Sequence, residues 1–147
     1  MGRAVHRRRR RSAGRGYVEP ALSGHPFADL LGFAVHMDAP GIASATIVVD
    51  PARHFNPQGV AHGGLLYALA DTAMGAALYS DLGDGELCAT IELKISYFAP
   101  VREGELRCTA RVVNRGKRVA HLAATLLDDK REVAQANGSF AIFRPGL

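Results

Sequence analysis

One carboxylate in this sequence stands where charge is costly. Asp71 lies inside GGLLYALADTAMGAALY, residues 63–79, whose only strongly polar members are Asp71 and Thr72. No Lys or Arg lies within a helical turn of it, so nothing local pays the desolvation of an ionised carboxylate. Such a residue suits a general base or a nucleophile tuned by partial burial. It can equally reach solvent through a gap, or hydrogen-bond a neighbouring strand.

Just upstream stands His54-Phe-Asn-Pro-Gln-Gly-Val-Ala-His-Gly-Gly64. Glycines at the mouth of a helix expose backbone N–H groups, and with the helix dipole these favour an anion or a developing oxyanion. No Lys-Ser or Lys-Thr follows, so the segment is a poor phosphate loop. His54 and His62 are eight residues apart with no nearby Cys or carboxylate partner, which is weak as a metal site, and none is expected. His62 suits a loop-fixing role better than acid–base work. A serine hydrolase is disfavoured, since no G-x-S-x-G occurs and Asn137-Gly-Ser-Phe-Ala141 lacks the closing glycine.

The elements that must position these residues follow from pattern. Leu and Ala dominate residues 63–79, which predicts a helix about 25 Å long. It has no polar face, so it must be buried by protein; it is too short for a membrane span and holds a carboxylate. Pro26–Leu31 reads as a short helix with Gly32 as its stop. Residues 33–37 and 42–49 read as a hairpin turning at Asp38-Ala-Pro-Gly41. Along 90–98, Ile91, Leu93, Ile95 and Tyr97 alternate with Thr90, Glu92, Lys94 and Ser96, which predicts a strand with those two sets on opposite faces. Strands over 106–112, 119–127 and 133–143 follow, and their short links suggest a meander. The sum is an α+β domain, an antiparallel sheet wrapped around one central helix.

The 147 residues carry a formal charge of +4, but residues 1–16 hold seven arginines and no acid. The remainder has 11 basic against 14 acidic residues, so the body is mildly acidic. Residues 1–16 are expected to be a disordered basic arm, and 17–147 one domain. No apolar stretch of secretory type follows the arginines, and Cys88 and Cys108 have no CxxC spacing. Reduced, buried thiols in a cytoplasmic protein are expected.

Asn56-x5-His62-Gly63-Gly64, followed by Leu69-Ala-Asp71-Thr72 on an apolar helix, resembles the PaaI-type acyl-CoA thioesterases of the hot-dog superfamily. The resemblance extends over roughly 26–147, with Thr90–Tyr97 as the strand after the helix and Gly116-Lys-Arg118 in a later turn. It implies a hot-dog dimer with sites at the subunit interface, hydrolysing CoA thioesters without metal or cofactor. By position it makes Asp71 the catalytic carboxylate and Gly63 the N–H that polarises the thioester carbonyl. Asn56 and His62 then orient thioester or water, and Thr90 sits near a hydroxyl that holds the water.

Gly63 and Asp71 are eight residues apart on one helix, so about 12 Å along its axis. One carbonyl cannot meet both, so a shared site takes them from different chains, and a homodimer or dimer of dimers is expected. Arg115, Lys117 and Arg118 crowd the turn at Gly116 and suit CoA phosphates, or form a merely solvated basic turn. Two other functions fit the residues less well. One is an enoyl-thioester hydratase using His62 as base and Asp71 as acid. The other is a non-catalytic acyl-CoA sensor whose arm contacts nucleic acid, although no helix-turn-helix accompanies the arm.

Overall fold

The computed structural model describes residues 25–146, so the arginine arm lies outside the described residues. Helix α1 (Pro26–Leu31) starts with Pro26 in its first turn and ends at Gly32, whose φ of 87° only glycine adopts without strain. Strands β1 (Ala34–Ala39) and β2 (Ile42–Val48) form the expected hairpin. The short helix α2 (Pro51–His54) is an addition to the sequence reading; Asp50 caps it through Ala52 N–H at 2.9 Å, with Pro51 in the first turn. Helix α3 (Gly63–Tyr79) has the bounds its composition predicts.

Strands β3 (Leu87–Tyr97), β4 (Glu105–Arg115), β5 (Val119–Leu127) and β6 (Glu132–Phe143) complete a six-stranded antiparallel sheet. Its order is β1-β2-β4-β5-β6-β3. The expected meander therefore holds only for β4-β5-β6. Despite the short link, β3 pairs with β6, at the far edge from β1. The link over 98–104 must cross three strand spacings, about 14 Å, and seven residues reach well past that. Val101, 2% exposed, anchors this crossover and accepts from Ala61 N–H at 2.8 Å.

The sheet curls over α3. Leu65, Leu66, Leu69, Ala70, Ala73, Met74, Ala77 and Leu78 are buried against Leu106, Leu122, Leu126 and Phe140. Each fully buried leucine here contributes about 1.5–3 kcal/mol. The helix is not buried all round, however. Gly64, Tyr67, Asp71, Gly75 and Tyr79 form a stripe at helical spacing that the sheet leaves uncovered. Among the described residues no helix is long and apolar enough to cross a membrane.

Strand β3 departs from its predicted alternation. Thr90 pairs with Phe140 while Glu92 pairs with Ser139, so Ile91 is an extra residue in a bulge. One residue of slip exchanges the faces. Cys88 and Thr90 therefore point to α3 together with Leu93, Ile95 and Tyr97, whereas Ile91 lies 56% exposed. The predicted separation of Thr90 from Leu93, Ile95 and Tyr97 is corrected by this bulge.

Candidate active site

The loop over 55–62 is held by its own polar groups. Asn56 Oδ1 accepts from the N–H of Gln58 at 3.0 Å and of Val60 at 3.2 Å, closing a tight turn. His54 is buried, with Nδ1 accepting from Asp50 N–H at 2.8 Å and Nε2 donating to Leu31 O at 3.0 Å. Both ring nitrogens are thus used in structure, and His54 is no metal ligand. Among the described residues no three His, Cys, Asp or Glu side chains gather as a metal site.

His62 is the N-cap of α3, its Nδ1 accepting from Gly64 N–H at 2.9 Å. That bond assigns the proton to Nε2, making the ring a donor rather than a base. Leu65 N–H goes to His62 O at 2.8 Å. The Gly63 N–H finds no acceptor among the described residues. It stands free at the positive end of a 17-residue helix, as an oxyanion donor must.

Sequence reasoning gave Tyr97 no part in the site. Its hydroxyl donates to Gly63 O at 2.8 Å, and a Cβ on Gly63 would come within 3.1 Å of the ring. Burial, then the neighbouring Tyr67, hold its pKa above the usual phenol value, so it stays a neutral donor. The alternation of 90–98 grouped Tyr97 with Leu93 and Ile95, but only the fold shows what it meets. With Val60, Leu66, Phe98 and Pro100, Gly63 and Tyr97 line a cleft of about 350 Å³.

Two turns along α3, half-buried Asp71 accepts from Thr90 Oγ1 at 2.7 Å. This bond uses one carboxylate oxygen and orients the other. Asp71 and Thr90 thus meet within one chain; Asn56 bonds only within its own turn, to Gln58 and Val60, and His62 bonds Gly64 beside Gly63, two turns of α3 away from Asp71.

The basic turn divides. Arg115 donates to Glu86 Oε2 at 2.6 Å and to Asp81 O at 2.7 Å, pinning the α3–β3 loop. Two of its five N–H donors are engaged there, which ties Arg115 to that loop. Lys117 and Arg118 are exposed. Cys88 and Cys108 are both free; Cys108 is fully buried, its pKa pushed up to about 12 by burial. Ser139 Oγ does meet His121 Nδ1 at 3.0 Å, but on the outer sheet face, with no carboxylate bonded to the imidazole among the described residues.

Residues 58–135 match the Thioesterase superfamily. A Pseudomonas aeruginosa protein named as an esterase is 34% identical over 124 residues, 83% of this chain and 92% of its own length. The proofreading thioesterase EntH of Klebsiella pneumoniae is 30% identical over 90 residues, 61% of this chain and 65% of its own. Among solved structures, conserved protein PA5202 of Pseudomonas aeruginosa has a TM-score of 0.79 at 32% identity, over 84% of this chain and 100% of that one. The PaaI protein of the E. coli phenylacetic acid degradation operon has 0.75 at 26% identity, over 84% and 87%. The chain belongs to the thioesterase superfamily, and its sheet around one long helix is the hot-dog fold of PaaI-type thioesterases.

Proposed function

We propose that this protein is an acyl-CoA thioesterase whose sites combine Asp71 of one subunit with Gly63 of the partner subunit. The observation that supports this best is the pair of features on α3: a carboxylate oriented by Thr90 and an N–H without an acceptor, about 12 Å apart. A two-fold axis passing beside Tyr67, midway between them on the uncovered stripe, sets Gly63 of each helix opposite Asp71 of the other. Strand β3 favours that pairing. It is an eleven-residue edge with Ile91, Tyr97 and Phe98 exposed beside it, which a second β3 running antiparallel would cover.

In this arrangement the thioester oxygen meets the Gly63 N–H, and Asp71 takes a proton from water as the water oxygen attacks the carbonyl carbon. The C–S bond then breaks, and CoA leaves as a thiolate that takes up a proton. Direct attack by Asp71 through an anhydride would use the same groups. Thr90 holds Asp71, and His62 and Asn56 hold the loop that presents Gly63. Lys117 and Arg118, with the unengaged donors of Arg115, serve as ligands for the CoA phosphates. These groups and water suffice, so the proposed reaction needs no resident metal or cofactor. With free thiols and a CoA ester as substrate, the proposed compartment is the cytoplasm.

The test is release of free thiol from CoA esters by the full chain and by Asp71→Asn, with circular dichroism to check the fold. Turnover by the wild type that falls by about two orders of magnitude or more in a folded variant is expected. Undiminished hydrolysis by Asp71→Asn would overturn the role of Asp71.

A further inference from the structure

The turn that opens α3 presents the N–H groups of His62, Gly63, Gly64 and Leu65, and three of them have acceptors. His62 N–H donates to His54 O at 2.8 Å, Gly64 N–H to His62 Nδ1 at 2.9 Å and Leu65 N–H to His62 O at 2.8 Å. Only Gly63 N–H has none among the described residues. A free donor of this kind works only while its direction is fixed, and a helix N-terminus lacks the bonds that fix the interior. Two adjacent glycines loosen this one further. Upstream, the His62 bonds hold it. Downstream, the Gly63 carbonyl carries a contact that the helix does not supply: the Tyr97 hydroxyl donates to it at 2.8 Å from 34 residues away. A carbonyl has two lone pairs, so this bond adds to the helical one rather than replacing it.

The strand that places Thr90 also places Tyr97. Both face α3 from β3, Thr90 on the Asp71 carboxylate at 2.7 Å and Tyr97 on Gly63. The Tyr97 ring also closes over Gly63, since a Cβ there would stand 3.1 Å from it. Neighbouring Tyr67 does not share this task, because its hydroxyl donates to Leu93 O at 3.2 Å. We propose that Tyr97 is a positioning residue for the hydrolysis, its hydroxyl acting through the Gly63 carbonyl to aim the Gly63 N–H at the thioester oxygen; this rests on the thioesterase reading above. Its proton is committed to Gly63 and is not offered to the substrate. In the paired arrangement each site then draws one β3 hydroxyl from each subunit, Thr90 behind Asp71 in one and Tyr97 behind Gly63 in the other. The contribution belongs to the transition state, because only there does the oxygen carry the charge that the N–H stabilises.

The test compares full-length wild type with Tyr97→Phe in thiol release from acetyl-, hexanoyl- and benzoyl-CoA, with kcat and KM resolved. Sedimentation velocity follows assembly, and amide exchange by NMR follows residues 62, 64 and 65. Removing an oxyanion donor outright costs about 10²–10³ in kcat, so loosening one should lower kcat by roughly tenfold, with KM held within about twofold. Exchange at His62, Gly64 and Leu65 should quicken by roughly fivefold or more, with Leu122 and Ala124 on β5 unchanged. An unmoved kcat, or a raised KM at constant kcat, would overturn the role. A lower kcat with unchanged exchange would overturn it too, by putting the hydroxyl on the reacting atoms, and a lost assembly would make Tyr97 an interface residue instead. If Tyr97→Phe does not fold, Tyr97→Met fills the space without the donor and reads the same quantities. Silence of the wild type on all three esters would overturn the thioesterase reading and this inference with it. A live wild type whose kcat survives Tyr97→Phe overturns this inference alone.

Discussion

Thr90 reaches Asp71 at 2.7 Å because Ile91 is an extra residue in β3. Without the bulge, Thr90 would point away from α3, and the carboxylate would have no hydroxyl to orient it. The bulge thus converts a regular edge strand into part of a site. Its effect is geometric, so it can be tested one group at a time.

Thr90→Val keeps the shape of the side chain and removes the donor. Thiol release from CoA esters should fall about tenfold or more, and Thr90→Ser should restore most of it. A Thr90→Val enzyme with full turnover would show that Asp71 needs no such partner.

Gly138 faces the same bulge from β6. A Cβ there would lie 2.8 Å from Glu92 O, a backbone atom with little room to yield. Gly138→Ala should therefore cost about 1–3 kcal/mol in chemical denaturation and push β3 outward, lowering turnover with it. An unchanged unfolding midpoint would contradict that packing.

Mixing two inactive proteins separates a shared site from a single-chain site. Asp71→Asn removes the carboxylate. Gly63→Pro removes the N–H at a first helical position, where the backbone suits proline, and circular dichroism checks that the Tyr97 ring yields to the new Cβ 3.1 Å away. A heterodimer of the two holds one site with both native groups, so co-refolding the inactive parents should regain activity. No regain, despite heterodimers seen by mass spectrometry, would place both groups of a site in one chain.

The loop between α3 and β3 predicts a pH dependence of stability. Gly83 N–H, then Arg115, hold the Glu86 carboxyl below its ordinary value of 4.5. A depressed carboxylate stabilises the fold above that ordinary value, and the stabilisation is lost as pH falls through the lower folded pKa. The Tm of the wild type should exceed that of Glu86→Gln at neutral pH, and the gap should close on acidification. A gap that persists at the lowest pH would assign the stabilisation to something other than this charge.

Much of the molecule was legible from local pattern. Leucine and alanine over 63–79 give α3, the polar break at Asp71 gives the candidate carboxylate, and Asp38-Ala-Pro-Gly41 gives the first hairpin. These follow from propensity and turn chemistry, which act within a few residues of the chain. His62 before two glycines likewise announces the helix start that it caps.

Contacts distant in sequence decided the rest. Strand β3 pairs with β6 rather than β4, the bulge at Ile91 turns Thr90 inward, and Tyr97 closes on the Gly63 carbonyl. Arg115 pairs with Glu86, 29 residues away. Periodicity states that a strand has two faces; it contains no information on its neighbour or on where one residue slips out of register. The sequence alone therefore determined which groups are available for chemistry. The tertiary structure decided which of them meet, because strand pairing and register are set by burial summed over the whole sheet.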